Sequence, residues 1–96
     1  MKSWFLYVVE CSDNTLYTGI TTDINRRLHE HNNTRRGARY TRSRRPVSLV
    51  YWRDFNDRSE ATSAELAFKR LSRAQKLTII AKSDHEEYDK KSYHRN

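Results

Sequence analysis

Cysteine occurs once in this 96-residue chain, at Cys11, so no internal disulfide can form. A lone thiol fits a reducing cytoplasm. Cys11 reads as a strand-end residue without chemistry. Proline also occurs once, at Pro46, and glycine twice, at Gly19 and Gly37. No linker suggests a second domain, and no internal repeat is present, so the length makes one domain. No apolar run approaches the ~18 residues that a spanning helix needs. The Met1-Lys2-Ser3 start lacks the apolar core and small-residue cleavage site of a secretory signal. Acid is scarce where base is dense: from Arg26 to Arg45 there are eight arginines, one acid (Glu30) and no lysine.

Positive charge is what the chain has instead. The formal net charge is +7, with 32% charged and 35% hydrophobic residues. Such a balance favours polyanions, nucleic acid ahead of an anionic membrane surface. The apolar residues are clustered, which argues for a folded domain with a single modest core.

Trp4 to Glu10 is rich in aromatic and β-branched residues and predicts a strand. Ser12-Asp13-Asn14 is turn chemistry, and Thr15 to Ile20 predicts the second strand of an antiparallel hairpin. A three-residue loop pairs Cys11 with Thr15, Val9 with Tyr17 and Tyr7 with Gly19. Tyr7, Tyr17 and Gly19 then share one face. A two-residue turn would put the tyrosines on opposite faces.

Thr22 or Asp23 can cap a helix running to about Asn32. Ile24 and Leu28 face the core, and Arg27 and His31 line one edge of that face. Arg26 points elsewhere. Residues 33 to 46 carry no apolar periodicity and read as a long basic loop. Arg35, Arg36, Arg39, Arg42, Arg44 and Arg45 are candidates for bidentate phosphate binding, and Tyr40 for stacking on a base.

Val47 to Phe55 returns to strand character, with Val47, Leu49 and Tyr51 alternating against Ser48, Val50 and Trp52. Asp57-Arg58-Ser59-Glu60 resembles a capping box opening a helix. Ala61, Ala64, Phe68 and Leu71 form its apolar stripe. Glu65 lies at the stripe's margin, where a carboxylate needs a partner, a cation or a route to water. Ser72 caps a third helix with Ala74, Leu77, Ile80 and Ala81 inward. From about Lys82 the chain is polar. The expectation is a domain over 1–82 and a disordered tail over 83–96, in which His85 and His94 are incidental.

The order strand, turn, strand, helix, with these residues, resembles the GIY-YIG nuclease superfamily over about residues 3 to 82. Phe5-Leu6-Tyr7 stands at the first tripeptide and keeps only its tyrosine. Tyr17-Thr18-Gly19 stands at the second and keeps tyrosine and glycine. Arg27 and His31 match the family's helix, and Ala64-Glu65-Leu66-Ala67-Phe68-Lys69 its glutamate-bearing helix. Gly37-Ala38-Arg39-Tyr40-Thr41 and Pro46 to Val50 look like the small stand-alone bacterial branch. The asparagine that some members use near the end of the domain has no counterpart here.

The resemblance implies an α/β fold: a small three-stranded, mainly antiparallel sheet flanked by three helices. It implies a metal-dependent DNA endonuclease of repair or processing, with Tyr7, Tyr17, Arg27, His31 and Glu65 catalytic. Glu65 would bind one Mg²⁺ or Mn²⁺ ion, and Arg27 would neutralise charge on the nonbridging oxygens. Tyr7 or Tyr17 would position or deprotonate water, with His31 as relay or alternate base. Positive charge from Arg27, His31 and the metal would lower the tyrosine pKa. Gly19 would let the backbone approach the phosphate or a neighbouring element. DNA, branched or damaged, is the implied partner, with RNA, a protein partner or a homodimer left open. A non-catalytic nucleic-acid-binding module fits the composition equally, though the retained Tyr7, Tyr17, Arg27 and Glu65 argue against it. A second rival is an interaction subunit of a repair complex, whose basic loop would meet an acidic protein.

Overall fold

In a computed structural model of the chain, residues 3–83 are described. The expected disordered tail, with His85 and His94, lies outside the described residues, apart from Ser83. The elements run β1 (Trp4–Glu10), β2 (Leu16–Thr21), α1 (Ile24–Asn33), α2 (Arg39–Arg42), β3 (Ser48–Phe55), α3 (Arg58–Lys69) and α4 (Arg73–Lys82). The sheet order is β2-β1-β3 with both pairings antiparallel. The three expected helices are α1, α3 and α4. The basic loop adds a fourth, the one-turn α2, whose one buried residue is Thr41.

The hairpin loop has three residues. The Asn14 amide donates to the Cys11 carbonyl, and the Cys11 amide to the Thr15 carbonyl. Asn14 takes a positive φ of 68°, a conformation that asparagine tolerates better than most residues. Asp13 accepts from both the amide and the hydroxyl of Thr15. The register therefore pairs Tyr7 with Gly19 and Val9 with Tyr17, which puts both tyrosines on one face.

That face packs on α1. Tyr7, Val9, Cys11 and Val47 form its buried cluster, with Tyr17, Leu28 and Leu49 against it. Asp23 is the N-cap of α1, accepting from the Arg26 amide at 3.0 Å. Asn32 ties the helix end to the start of β3: its amide group donates to the Val47 carbonyl and accepts from the Val47 amide. Burial pushes the Cys11 thiol pKa up, in keeping with an inert side chain.

The opposite face packs on α3 and α4. Leu6, Val8 and Phe68 form that cluster, joined by Val50, Tyr51, Phe55, Ala64, Leu71, Ile79 and Ile80. Two sequence expectations change here. The register of β3 shifts so that Val8 pairs with Tyr51 but Val9 with Leu49, leaving Val50 as an extra residue. This bulge sends Leu49 and Tyr51 to opposite faces, breaking the alternation read from the sequence. In α4, Ile79 and Ile80 turn to the core, whereas Leu77 is 41% exposed and Ala74 and Ala81 are also exposed. Among the described residues no helix is long and apolar enough to cross a membrane.

Candidate active site

The site lies where the hairpin meets α1 and α2. Tyr7 is 2% exposed and His31 fully buried, and Tyr7 Oη and His31 Nε2 share a hydrogen bond of 2.7 Å. Tyr17 sits edge-on to His31, their ring centroids 5.4 Å apart, and 6.4 Å from the Tyr7 ring. Gly19 makes room for Tyr7: a Cβ there would stand 2.6 Å from Tyr7 Oη and 2.8 Å from Cζ. The neighbour that Gly19 accommodates is thus the tyrosine of its own sheet.

Arg27 is half-buried beside this pair, its guanidinium in reach of the Tyr7 hydroxyl. Its Nη1 donates to Glu30 Oε1 and to the Arg36 carbonyl, both at 2.8 Å. Glu30 also lies 3.8 Å from Arg26 Nε. The Arg27 hydrogen bond holds the Glu30 carboxyl below the usual carboxylate range. Arg26 points away from Tyr7, towards Thr21, as the spacing predicts.

Burial sets the protonation of both central groups. It raises the Tyr7 phenol well above its ordinary pKa, Tyr17 and Glu65 adding to the rise and Arg27 opposing it. Burial, with Arg27 and Arg45 nearby, lowers the His31 pKa to about 4. His31 is therefore neutral at pH 7. This corrects the expectation that a cationic His31 lowers the tyrosine pKa: here the ring hydrogen-bonds without charge.

The arginines divide into two sets. Arg45 donates to the carbonyls of His31 and Thr34, with the Glu30 carbonyl at 3.4 Å, and so closes the end of α1. Arg44 donates to Asp13 Oδ2 at 3.0 Å and to the Tyr40 carbonyl at 2.9 Å. Its guanidinium also lies 3.9 Å from the Tyr40 ring centroid, and Tyr40 stacks on Tyr17. Arg44, Arg45 and Tyr40, expected to meet nucleic acid, thus also make contacts that serve the fold, and Tyr40 stays exposed. Arg35, Arg36, Arg39 and Arg42 are exposed, and their guanidinium groups have no acceptor among the described residues. Single-sequence reasoning could not separate the two sets, because both are arginines in one unpatterned stretch.

Glu65 is on α3, against the other sheet face. It reaches Tyr7 through its charge, and its ion-pair partner is Lys69 at 3.1 Å. Among the described residues no three His, Cys, Asp or Glu gather as a metal cage. A single carboxylate is still a sufficient protein ligand for Mg²⁺, which keeps waters and takes substrate oxygens. Thr41 is the residue the sequence reading passed over: it is fully buried, with Oγ1 2.9 Å from His31 Nδ1. Its signal was its place four residues after Gly37 in a stretch already singled out.

The sheet order β2-β1-β3, with paired tyrosines facing an arginine- and histidine-bearing helix, defines a small α/β domain with its polar cluster between sheet and helix. The GIY-YIG catalytic domain matches residues 3–78, and the chain belongs to that family. UPF0213 protein DP2720 of Desulfotalea psychrophila is 57% identical over 82 residues, covering 85% of this chain and 74% of the relative. UPF0213 protein SAG0778 of Streptococcus agalactiae is 53% identical over 83 residues, covering 86% and 93%. Two solution NMR structures share the fold. EF2693 from E. faecalis has a TM-score of 0.58 and 41% identity, covering 93% of each chain. UPF0213 protein BH0048 from Bacillus halodurans has a TM-score of 0.57 and 38% identity, covering 88% of this chain and 90% of that one. The family implies a nuclease superfamily and a nucleic acid substrate; the relatives' names specify no activity.

Proposed function

We propose that this chain is a metal-dependent endonuclease that hydrolyses phosphodiester bonds in DNA, in repair or processing. The observation that carries this reading is the buried Tyr7–His31 pair, with Tyr17 and Arg27 beside it. Burying a histidine and a phenol hydroxyl together brings desolvation costs that plain sheet packing would avoid. The family's nuclease chemistry gives the arrangement a use.

Tyr7 would hold the attacking water and, as a phenolate once its own O–H proton has passed to bulk water, would receive that water's proton. Its raised pKa makes it a poor base unless positive charge is added nearby. Arg27 contributes part of that charge, and would balance charge growing on the nonbridging oxygens. Its bonds to Glu30 and to the Arg36 carbonyl both use Nη1, so its other nitrogens can serve Tyr7 and phosphate. Glu65 would hold one Mg²⁺ or Mn²⁺ ion, whose bound form supplies charge for the phosphate and the leaving oxygen. Arg35, Arg36, Arg39 and Arg42 would track the DNA backbone. A single buried thiol fits a reducing cytoplasm.

One observation favours a second reading. Glu65 already pairs with Lys69 through Oε2, a contact that a metal bound at that oxygen would displace. A module that binds DNA or RNA without cutting, alone or within a repair complex, needs no such exchange. Plasmid nicking by purified protein separates the two, with Mg²⁺ or Mn²⁺ against EDTA and with Glu65→Ala alongside. Metal-dependent nicking that the substitution abolishes supports the nuclease. Binding without nicking by the unsubstituted chain supports the module.

A further inference from the structure

Gly37 is the point where the basic loop is pressed onto α1. A Cβ there would stand 2.7 Å from the Glu30 carbonyl oxygen and 2.8 Å from His31 Cα, both backbone atoms that cannot yield. The close approach brings the Ala38 amide to 3.3 Å from His31 Nδ1. One turn of α2 then carries Thr41 inward, with its Oγ1 2.9 Å from both His31 Nδ1 and the Ala38 carbonyl oxygen. His31 is thus held at both ring nitrogens, by the loop on one side and by Tyr7 on the other.

We propose that Thr41 and the Gly37–Ala38 peptide are positioning groups that fix the His31 tautomer, placing its proton on Nε2. A backbone N–H only donates, so Nδ1 must present its lone pair to Ala38. The Thr41 hydroxyl has one proton: turned to Nδ1 it leaves the Ala38 carbonyl oxygen, which keeps the Thr41 and Arg42 amides as donors, and it shares the Nδ1 lone pair with the Ala38 amide. The ring proton is then on Nε2 and is donated to Tyr7 Oη at 2.7 Å. Tyr7 becomes the acceptor of that bond, and its own O–H is left for a water or a phosphate oxygen. A hydrogen bond received at the phenol oxygen favours its phenolate. In the opposite tautomer Tyr7 would donate to His31, and its proton would be occupied. The inference deepens the nuclease reading, on which its catalytic consequence rests. The tautomer itself is independent of that reading.

The test is ¹⁵N NMR of the His31 ring in the full chain, for the unsubstituted protein, Thr41→Val and Thr41→Ser. The substitution to valine keeps the side-chain volume and removes the hydroxyl. Expected are a single neutral tautomer protonated at Nε2 in the unsubstituted protein and ring shifts moved towards tautomer-averaged values in Thr41→Val. Thr41→Ser restores the single tautomer. Plasmid nicking in Mg²⁺ should fall about tenfold or more in Thr41→Val, at unchanged DNA binding, and recover in Thr41→Ser. A proton on Nδ1 in the unsubstituted protein overturns the proposal, and that spectrum decides even if the valine variant does not fold. Unaltered ring shifts in a folded Thr41→Val overturn the role of Thr41. Ring shifts that behave as expected in a chain that never nicks DNA support the tautomer assignment and sink the nuclease reading, so the two fail separately.

Discussion

Replacing Gly19 by alanine tests the site's geometry with one methyl group. The new Cβ would stand 2.6 Å from Tyr7 Oη and 2.8 Å from Cζ, whereas ordinary contact begins at 3.4 Å. The ring must therefore retreat by about 0.6–0.8 Å. It has little room to do so, because Tyr7 is 2% exposed and His31 behind it is fully buried. Overpacking of this kind costs about 1–3 kcal/mol. The 2.7 Å hydrogen bond to His31 is strained at the same time, at a further cost of about 1 kcal/mol. Urea denaturation would read the stability loss. Nicking assays would read activity, which should fall by about a hundredfold for a misplacement approaching 1 Å. The same substitution in a Tyr7→Phe background removes the 2.6 Å contact and the strained hydrogen bond but keeps the 2.8 Å contact to Cζ, so its stability cost should shrink by about 1 kcal/mol without vanishing. A Gly19→Ala protein with unaltered stability and activity would refute the reasoning. So would a stability cost that stays undiminished in the Tyr7→Phe background.

The arginines give a second contrast. Arg45→Ala should cost about 2–3 kcal/mol through uncapped carbonyls of α1, visible as a lower thermal midpoint, whereas Arg42→Ala should stay within about 0.5 kcal/mol. Arg35→Ala with Arg36→Ala should leave the fold intact and reduce the salt slope of DNA binding by about two, checked by titration at several salt concentrations. His31 predicts an acid-sensitive fold. Its folded pKa of about 4 lies below the ordinary 6.5, so the unfolded chain binds the extra proton between those values. Stability contributed by neutral burial is full above about pH 6.5 and is lost as pH falls through 4, by about 3 kcal/mol. Urea midpoints across that range would show the slope, and His31→Gln should flatten it.

The sequence by itself determined the parts that depend on local chemistry. The three-residue turn placed Tyr7 opposite Gly19 and so put both tyrosines on one face. Asp23, Asp57 and Ser72 each cap the helix their spacing announced. Local residues write these features, because caps, turns and pleat periodicity involve neighbours a few positions apart. Tertiary structure alone decided the rest. The bulge at Val50 arises from pairing between β1 and β3, so no window within β3 reveals it. Arg44 and Arg45 were drawn out of the basic loop by acceptors on the hairpin and on α1, far off in sequence. The charge of His31 was likewise decided by burial, which took a histidine read as cationic and kept it neutral. Residue type sets what a side chain can do, and the company it keeps after folding selects which of those things it does.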